Sequence, residues 1–391
     1  MEDIPELEDK LPPMRALATF TNGVWADIAS SELDGPVKGC KDALHSNLVE
    51  FMRSQHLIVL TGLGTSLCVV DQTGNKPAPT MSDLWNAVRG AFGVKPFNDI
   101  LAAVRQPVGN KNIELLLSRC QTAQAFEPSS TIAAFISVAE KTIAHCCRFI
   151  SDSLGLPQHE SFLRRIARRP TAAPRTRIFT TNYDLCFETA ASRIHMVVVD
   201  GFSHSVPQEF DGEHFAYDLV RRGEDGFAPD FIPNVCHLYK LHGSVDWERS
   251  TDRIRKQQDT DEPVLIYPRH SKFESSYEHP FLEMMSRFQA AIRQPKTSLL
   301  IVGFGFGDKH ITQPILAAIR SNVGLRVVVV DPFLQQSPSE TSSNMASLIV
   351  QGDPRITLVA SSFEKFVPLL PDLVSETEHE RHQARLRRIE A

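Results

Sequence analysis

The chain has 391 residues, 42% of them hydrophobic, enough to bury more than one core and, on length, to make roughly two to three domains. Lysine and arginine number 41 against 47 acidic residues, a net charge of −6 with a pI near 6.2, so the basic excess that nucleic-acid binding requires is missing and direct nucleic-acid binding is not expected. The seven cysteines, at 40, 68, 120, 146, 147, 186 and 236, include no Cys-x-x-Cys pair and are odd in number, which argues for reduced thiols and a cytoplasmic protein rather than a disulfide framework.

The N-terminal "MEDIPELEDK" lacks the basic start and apolar core of a signal peptide, and no apolar run reaches the roughly 18 residues of a membrane-spanning helix. Residues 1–35 read as an acidic, then mixed arm, mobile unless something docks on it. From Asp42 to Met52, Leu44, Leu48 and Phe51 recur at helical spacing, and "HLIVLTGLGTS" then gives a buried strand and a tight glycine loop. Residues 80–169 carry apolar residues at three- and four-residue steps in "SDLWNAVRGAF", "NIELLLSRCQTAQAF", "TIAAFISVAEKTIAHCCRFISDSL" and "SFLRRIARR", a helical insertion or subdomain. After Pro174 come the strand "RIFTTNYD", a helix, a loop-rich stretch from about 201 to 235, and "HLYKLHGSVDW", which reads as a further strand with His242 at its functional end.

The last third alternates helix "FLEMMSRFQAAIRQ", strand "SLLIVGFGFGD", helix "ITQPILAAIRSN", strands "LRVVVVDP" and "ITLVA", and helix "FEKFVPLLPDL". Strands alternating with helices of this length predict an α/β fold, a parallel sheet with helices on both faces. One domain is expected over 36–370, with 371–391 as a basic helix or tail.

In such a sheet ligands bind beyond the carboxyl ends of the strands, where "TGLGTS", "TTNYD", "KLHGS" and "GFGFGDKH" fall. Gly62 and Gly64, with Thr65 and Ser66, would let a pyrophosphate approach the backbone closely, although glycines after a strand are also ordinary punctuation. Asn182 and Asp184 are residue types that often finish a strand for purely local reasons. His242 before Gly243, taken alone, reads first as a hydrogen-bonded turn histidine.

Taken in order, Gly-x-Gly-x-Ser at 62–66, Thr-x-Asn-x-Asp at 180–184 and Leu-His-Gly-Ser at 241–244 resemble the Rossmann-like NAD-binding core of the sirtuins. With "LIVGFGFGDKHI" and no zinc module, the chain looks most like the sirtuin-like NADases of bacterial anti-phage systems, and within these like the partner of a HerA-type ATPase. Two departures stand out. The segment after His-Gly, "SVDWERSTDRIRKQQDTDEP", contains no cysteine, so the four-cysteine zinc ribbon of the deacylating sirtuins is excluded there, and no metal is expected. Thr181 replaces the family's glutamine before Asn182, and Leu63 its alanine in the glycine loop.

The resemblance implies cleavage of NAD to nicotinamide and ADP-ribose, in a homo-oligomer gated by the partner ATPase. That chemistry suits the residues. The bond broken joins a cationic ring nitrogen to the anomeric carbon, so the leaving group departs neutral and one acid of the usual glycosidase pair is unnecessary. Asn182 would hold the ribose hydroxyls or the attacking water. His242, of a type with a pKa of about 6.5, would be the base, and Asp184 would orient the amide or stabilise the cation. Thr181, Gly303, Phe304, Gly307 and Asp308 are expected around the nucleotide, with His310 at the following helix start, and Asp331 on the adenosine ribose. A non-catalytic NAD or ADP-ribose sensor, a protein deacylase and a nuclease-like effector are the alternatives. Turnover of NAD separates them.

Overall fold

The computed structural model describes residues 11–28, 39–170, 173–222, 229–251, 253–260, 262–266 and 279–373. Strands β1 (Arg15–Leu17) and β2 (Ala26–Asp27) precede helix α1 (Lys41–Met52) and β3 (His56–Thr61). Four helices follow, α2 (Met81–Phe92), α3 (Val94–Ala103), α4 (Ile113–Phe126) and α5 (Ser130–Cys147), then α6 (Pro157–Ile166), β4 (Thr176–Thr180), α7 (Cys186–Arg193) and β5 (Val197–Val199). Next come β6 (Val220–Arg222), β7 (Pro229–Phe231), β8 (Val235–Lys240), β9 (Gly243–Ser250), β10 (Arg253–Lys256) and β11 (Pro263–Leu265). The chain continues through α8 (Phe281–Ile292), β12 (Thr297–Val302), α9 (Lys309–Ser321), β13 (Arg326–Val330), α10 (Glu340–Val350), β14 (Ile356–Ala360) and α11 (Phe363–Phe366).

Among the described residues nine strands form one sheet in the order β2-β1-β14-β13-β12-β3-β4-β8-β5. From β14 to β5 all pairings are parallel. Strands of a parallel sheet are covered on both faces, and continuous apolar runs such as "HLIVLT" and "TSLLIV" satisfy both at once. Alternate residues then divide between two cores. Ile58, Leu60, Leu299 and Ile301 face the core covered by Met284 and Phe288 of α8 and Ile311 and Ile315 of α9. Leu57, Val59, Leu300 and Val302 face the one covered by Leu44 and Leu48 of α1, Phe162 of α6, Phe187 of α7 and Phe363 of α11. The expected α/β architecture, helices on both faces of a parallel sheet, is the one observed.

Helices α2 to α5 carry a third core, including Trp85, Phe97, Leu116 and Phe135, which also takes in Val245 and Leu265 of the small sheet β10-β9-β11. Caps fix where these helices begin. Thr80 and Asp83 form a reciprocal box at α2, with Asp83 N donating to Thr80 Oγ1 at 3.3 Å and Thr80 N to Asp83 Oδ2 at 2.8 Å. Asn112 Oδ1 accepts from Leu115 N at 2.9 Å to start α4.

Several expectations change. Part of the N-terminal segment is docked: β1 pairs antiparallel with β14, Arg15 opposite Ala360, and β2 pairs with β1, so the edge of the parallel sheet is covered by its own chain. Residues 374–391, which hold most of the expected basic tail, lie outside the described residues. Helix α5 stops at Cys147 rather than running on to Leu154, and α10 fills a stretch with no element expected. Serine and threonine crowd the first half of α10 and hide its period, yet Ser339 caps it and buried Met345 and Ile349 anchor it. "HLYKLHGSVDW" is two strands in two sheets, broken at Leu241 and His242. Gly243 makes the break with φ of +86°, and a Cβ there would lie 2.1 Å from the Val264 carbonyl oxygen.

Candidate active site

Strand β3 is central, with β4, β8 and β5 on one side and β12, β13 and β14 on the other, so the chain reverses its winding between β3 and β12, where a ligand crevice opens. The strands end level: Thr61 is in register with Val302 and with Thr180, and Thr180 with Lys240. Their following loops therefore share one floor.

The two glycine loops there pack backbone against backbone. Gly62 N donates to Val302 O at 3.2 Å and Gly64 N to Gly303 O at 3.0 Å. A Cβ on Gly64 would stand 2.5 Å from Gly303 Cα, and one on Gly303, whose φ is +62°, 2.6 Å from Gly64 Cα. Gly303→Ala should lower stability by about 1–3 kcal/mol in urea unfolding. Gly305→Ala is its control, with nothing within 4 Å of the added carbon, and should stay within about 0.5 kcal/mol of the parent.

Above this floor lies a buried polar network. Asn182 Nδ2 donates to Gly62 O at 3.1 Å, Thr65 Oγ1 at 3.2 Å and Ser66 Oγ at 2.9 Å. Ser66 Oγ donates to Asp184 Oδ2 at 2.7 Å, and Asp184 Oδ1 accepts from Cys186 N at 3.0 Å at the start of α7. Lys240, buried at the end of β8, donates to the carbonyls of Tyr183, at 3.3 Å, and Asp184, and to Glu188 Oε1 at 3.0 Å. Beyond it, His242 Nε2 faces His310 Nε2 at 3.1 Å, both side chains being buried.

These elements enclose a cavity of about 490 Å³, within the range of roughly 300–1,000 Å³ usual for small-ligand sites. Asn182, Asp184 and His242 line it together, as do Gly62, Thr181 and Gly303. Phe304, Gly307 and Asp308 complete the set of expected residues on its wall. Burial pushes up the thiols of Cys147, which borders the cavity, and of Cys186 beside the network, so neither sulfur supplies a thiolate nucleophile.

Five expected residues are not on the cavity wall, among them His310, whose imidazole meets that of His242. Gly64 faces Gly303, and the Thr65 and Ser66 hydroxyls are turned to Gly62 O and Asp184. The amides of Gly64, Thr65 and Ser66 donate to Gly303, Gly62 and Leu63 carbonyls. These three residues build the loop, their amides and hydroxyls meeting neighbouring carbonyls and Asp184. Asp331 lies one strand beyond the switch point, where its Oδ1 accepts from Phe333 N at 2.8 Å and burial raises its carboxyl above the usual range.

Two groups of site residues escaped the sequence reading. One wall comes from the helical insertion, through Met81, Leu84, Ile113, Glu114, Ile143 and Cys147, a contact that helical periodicity does not encode. Lys240 is the other, and the signal for it was a lysine inside a strand whose every residue is buried. His242, Asp308 and His310 also form a group whose ligand atoms lie within 4.8 Å of one another, a convergence of distant segments that no local metal-binding motif announces.

Fold and cavity together define an α/β protein with a cavity at the switch point of its sheet. Residues 176–346 match the family model of a SIR2-like domain. No curated protein matches it. Among solved structures, one from work on the mechanism and regulation of Sir2 enzymes is similar over 88% of this chain and 98% of its own, at 11% identity and a TM-score of 0.37. Among the described residues no helix is long and apolar enough to cross a membrane.

Proposed function

We propose that the chain is an NAD⁺ glycohydrolase, cleaving the bond between nicotinamide and ribose to release nicotinamide and ADP-ribose. The observation that carries this reading is the cavity at the switch point of the sheet, lined by both Asn182 and His242. The donors of Asn182 are committed to the glycine loop, which leaves its Oδ1 to accept from a ribose hydroxyl or the attacking water. His242 takes the proton. Because the departing nicotinamide is neutral, no second acid is needed, and Asp184, with both oxygens engaged, serves by holding the turn that carries Asn182. The adenosine end would lie along Phe304, Gly307 and Asp308.

On the same reading the protein is a cytoplasmic, homo-oligomeric effector that depletes NAD in anti-phage defence, restrained until it assembles with a HerA-type ATPase. Purified full-length chain, incubated with NAD with and without such a partner, should release nicotinamide, measured by chromatography. Tight NAD binding without release under both conditions would favour a sensor and overturn the hydrolase.

A further inference from the structure

The imidazoles of His242 and His310 converge from positions 68 residues apart and meet through their Nε2 atoms at 3.1 Å. His242 sits in the turn between β8 and β9, and His310 is the second residue of α9. Asp308, at the N-cap of the same helix, brings a carboxylate, and one ligand atom from each of the three residues lies within 4.8 Å of the other two. His242 and Asp308 also line the cavity, while His310 stands behind them, 7% exposed.

We propose that His242, Asp308 and His310 form a binding site for a divalent transition ion of the zinc class, with its remaining coordination positions open to the cavity. A tetrahedral zinc ion with bonds of about 2.0–2.1 Å holds two nitrogen ligands roughly 3.3 Å apart, so the two imidazoles need open only slightly to admit it. Asp308 is partly exposed and closes the remaining distance by side-chain rotation. Two imidazoles and one carboxylate select zinc and its neighbours over magnesium or calcium, which prefer all-oxygen shells. Three protein ligands with an open position is also the arrangement of a reactive rather than a structural zinc site.

One consequence rests on the glycohydrolase reading. An ion on His242 Nε2 occupies the lone pair a base would use, so zinc should suppress nicotinamide release and a chelator should restore it.

The site itself is tested without activity. Chelator-stripped full-length chain, dialysed against zinc sulfate, should retain one ion per chain by atomic absorption, and cobalt substituted for zinc should give visible d–d bands. His310→Ala and Asp308→Asn should each weaken retention by more than about 10²-fold, beyond the effect of outer-shell changes, with the far-ultraviolet circular dichroism unchanged. Where His310→Ala fails to fold, Asp308→Asn gives the reading. Parent-like retention in a folded variant, or no retention by the parent chain, overturns the site. Zinc bound by the parent and lost in the variants upholds it whether or not the chain releases nicotinamide, so the two readings fail separately.

Discussion

Nicotinamide release should fall about 10²–10⁴-fold when His242 is replaced by alanine, the range a positioned general base contributes. The loss should appear in kcat with KM little changed, because the proton is taken only as water or a ribose hydroxyl becomes nucleophilic. His242 is only 4% exposed and opens on the cavity rather than on bulk solvent, so buffer would replace it poorly. Asn182→Ala should also abolish release, but with a second signature. Its amide ties Gly62, Thr65 and Ser66 to the turn at the end of β4, and the buried Thr65 and Ser66 hydroxyls lose a donor with it, while Gly62 O keeps those of Thr65. A stability loss of about 1–3 kcal/mol should accompany the lost activity, read by urea unfolding. Parent-like kcat in folded His242→Ala would refute the assignment of the base.

Burial was legible in the sequence wherever one residue type served one purpose. The runs in β3, β12 and β13 are apolar at successive positions because both faces of the sheet are covered, and they became strands. The order of the polar clusters also carried over, since Thr61, Thr180 and Val302 end level and bring their loops to one place. What periodicity does not encode is which partner a buried polar group takes. Asn182 meets the glycine loop across 120 residues and His242 meets His310 across 68, and nothing in the spacing chooses those pairings. The same gap explains Gly64, Thr65 and Ser66. Their composition suits a phosphate, but their amides and hydroxyls are satisfied by the neighbouring loops. Asp331 ends β13 with its carboxylate accepting from Phe333 N, a local partner that a rule for strand ends does not encode.

Acid should unfold this protein earlier than its carboxylates alone would dictate, because two histidines are buried in their neutral form. His159 of α6 lies between the rings of Phe187 and Phe363, each centred 5.2 Å away, and among the described residues neither of its nitrogens has a hydrogen-bond partner. Burial holds its pKa down to about 4, against a weaker opposing pull from Asp184. His237 of β8 is likewise depressed to about 4, first by burial and then by Arg177, with Arg175 and Arg287 adding to the effect and Asp218 opposing it. A histidine whose folded pKa lies below its unfolded value of about 6.5 contributes fully above the unfolded pKa. As pH falls toward 4 the unfolded chain binds a proton that the folded chain refuses, and stability drops. Each histidine should cost about 2 kcal/mol between pH 7 and pH 5, and about 3 kcal/mol once pH reaches the folded pKa. His159→Phe keeps an aromatic ring against Phe187 and Phe363 and removes the titrating group. Urea unfolding of parent and variant at pH 7 and pH 5 should therefore show the variant losing about 2 kcal/mol less over that interval. Equal losses in the two proteins would mean that folding leaves the pKa of His159 at its unfolded value, and would overturn this account.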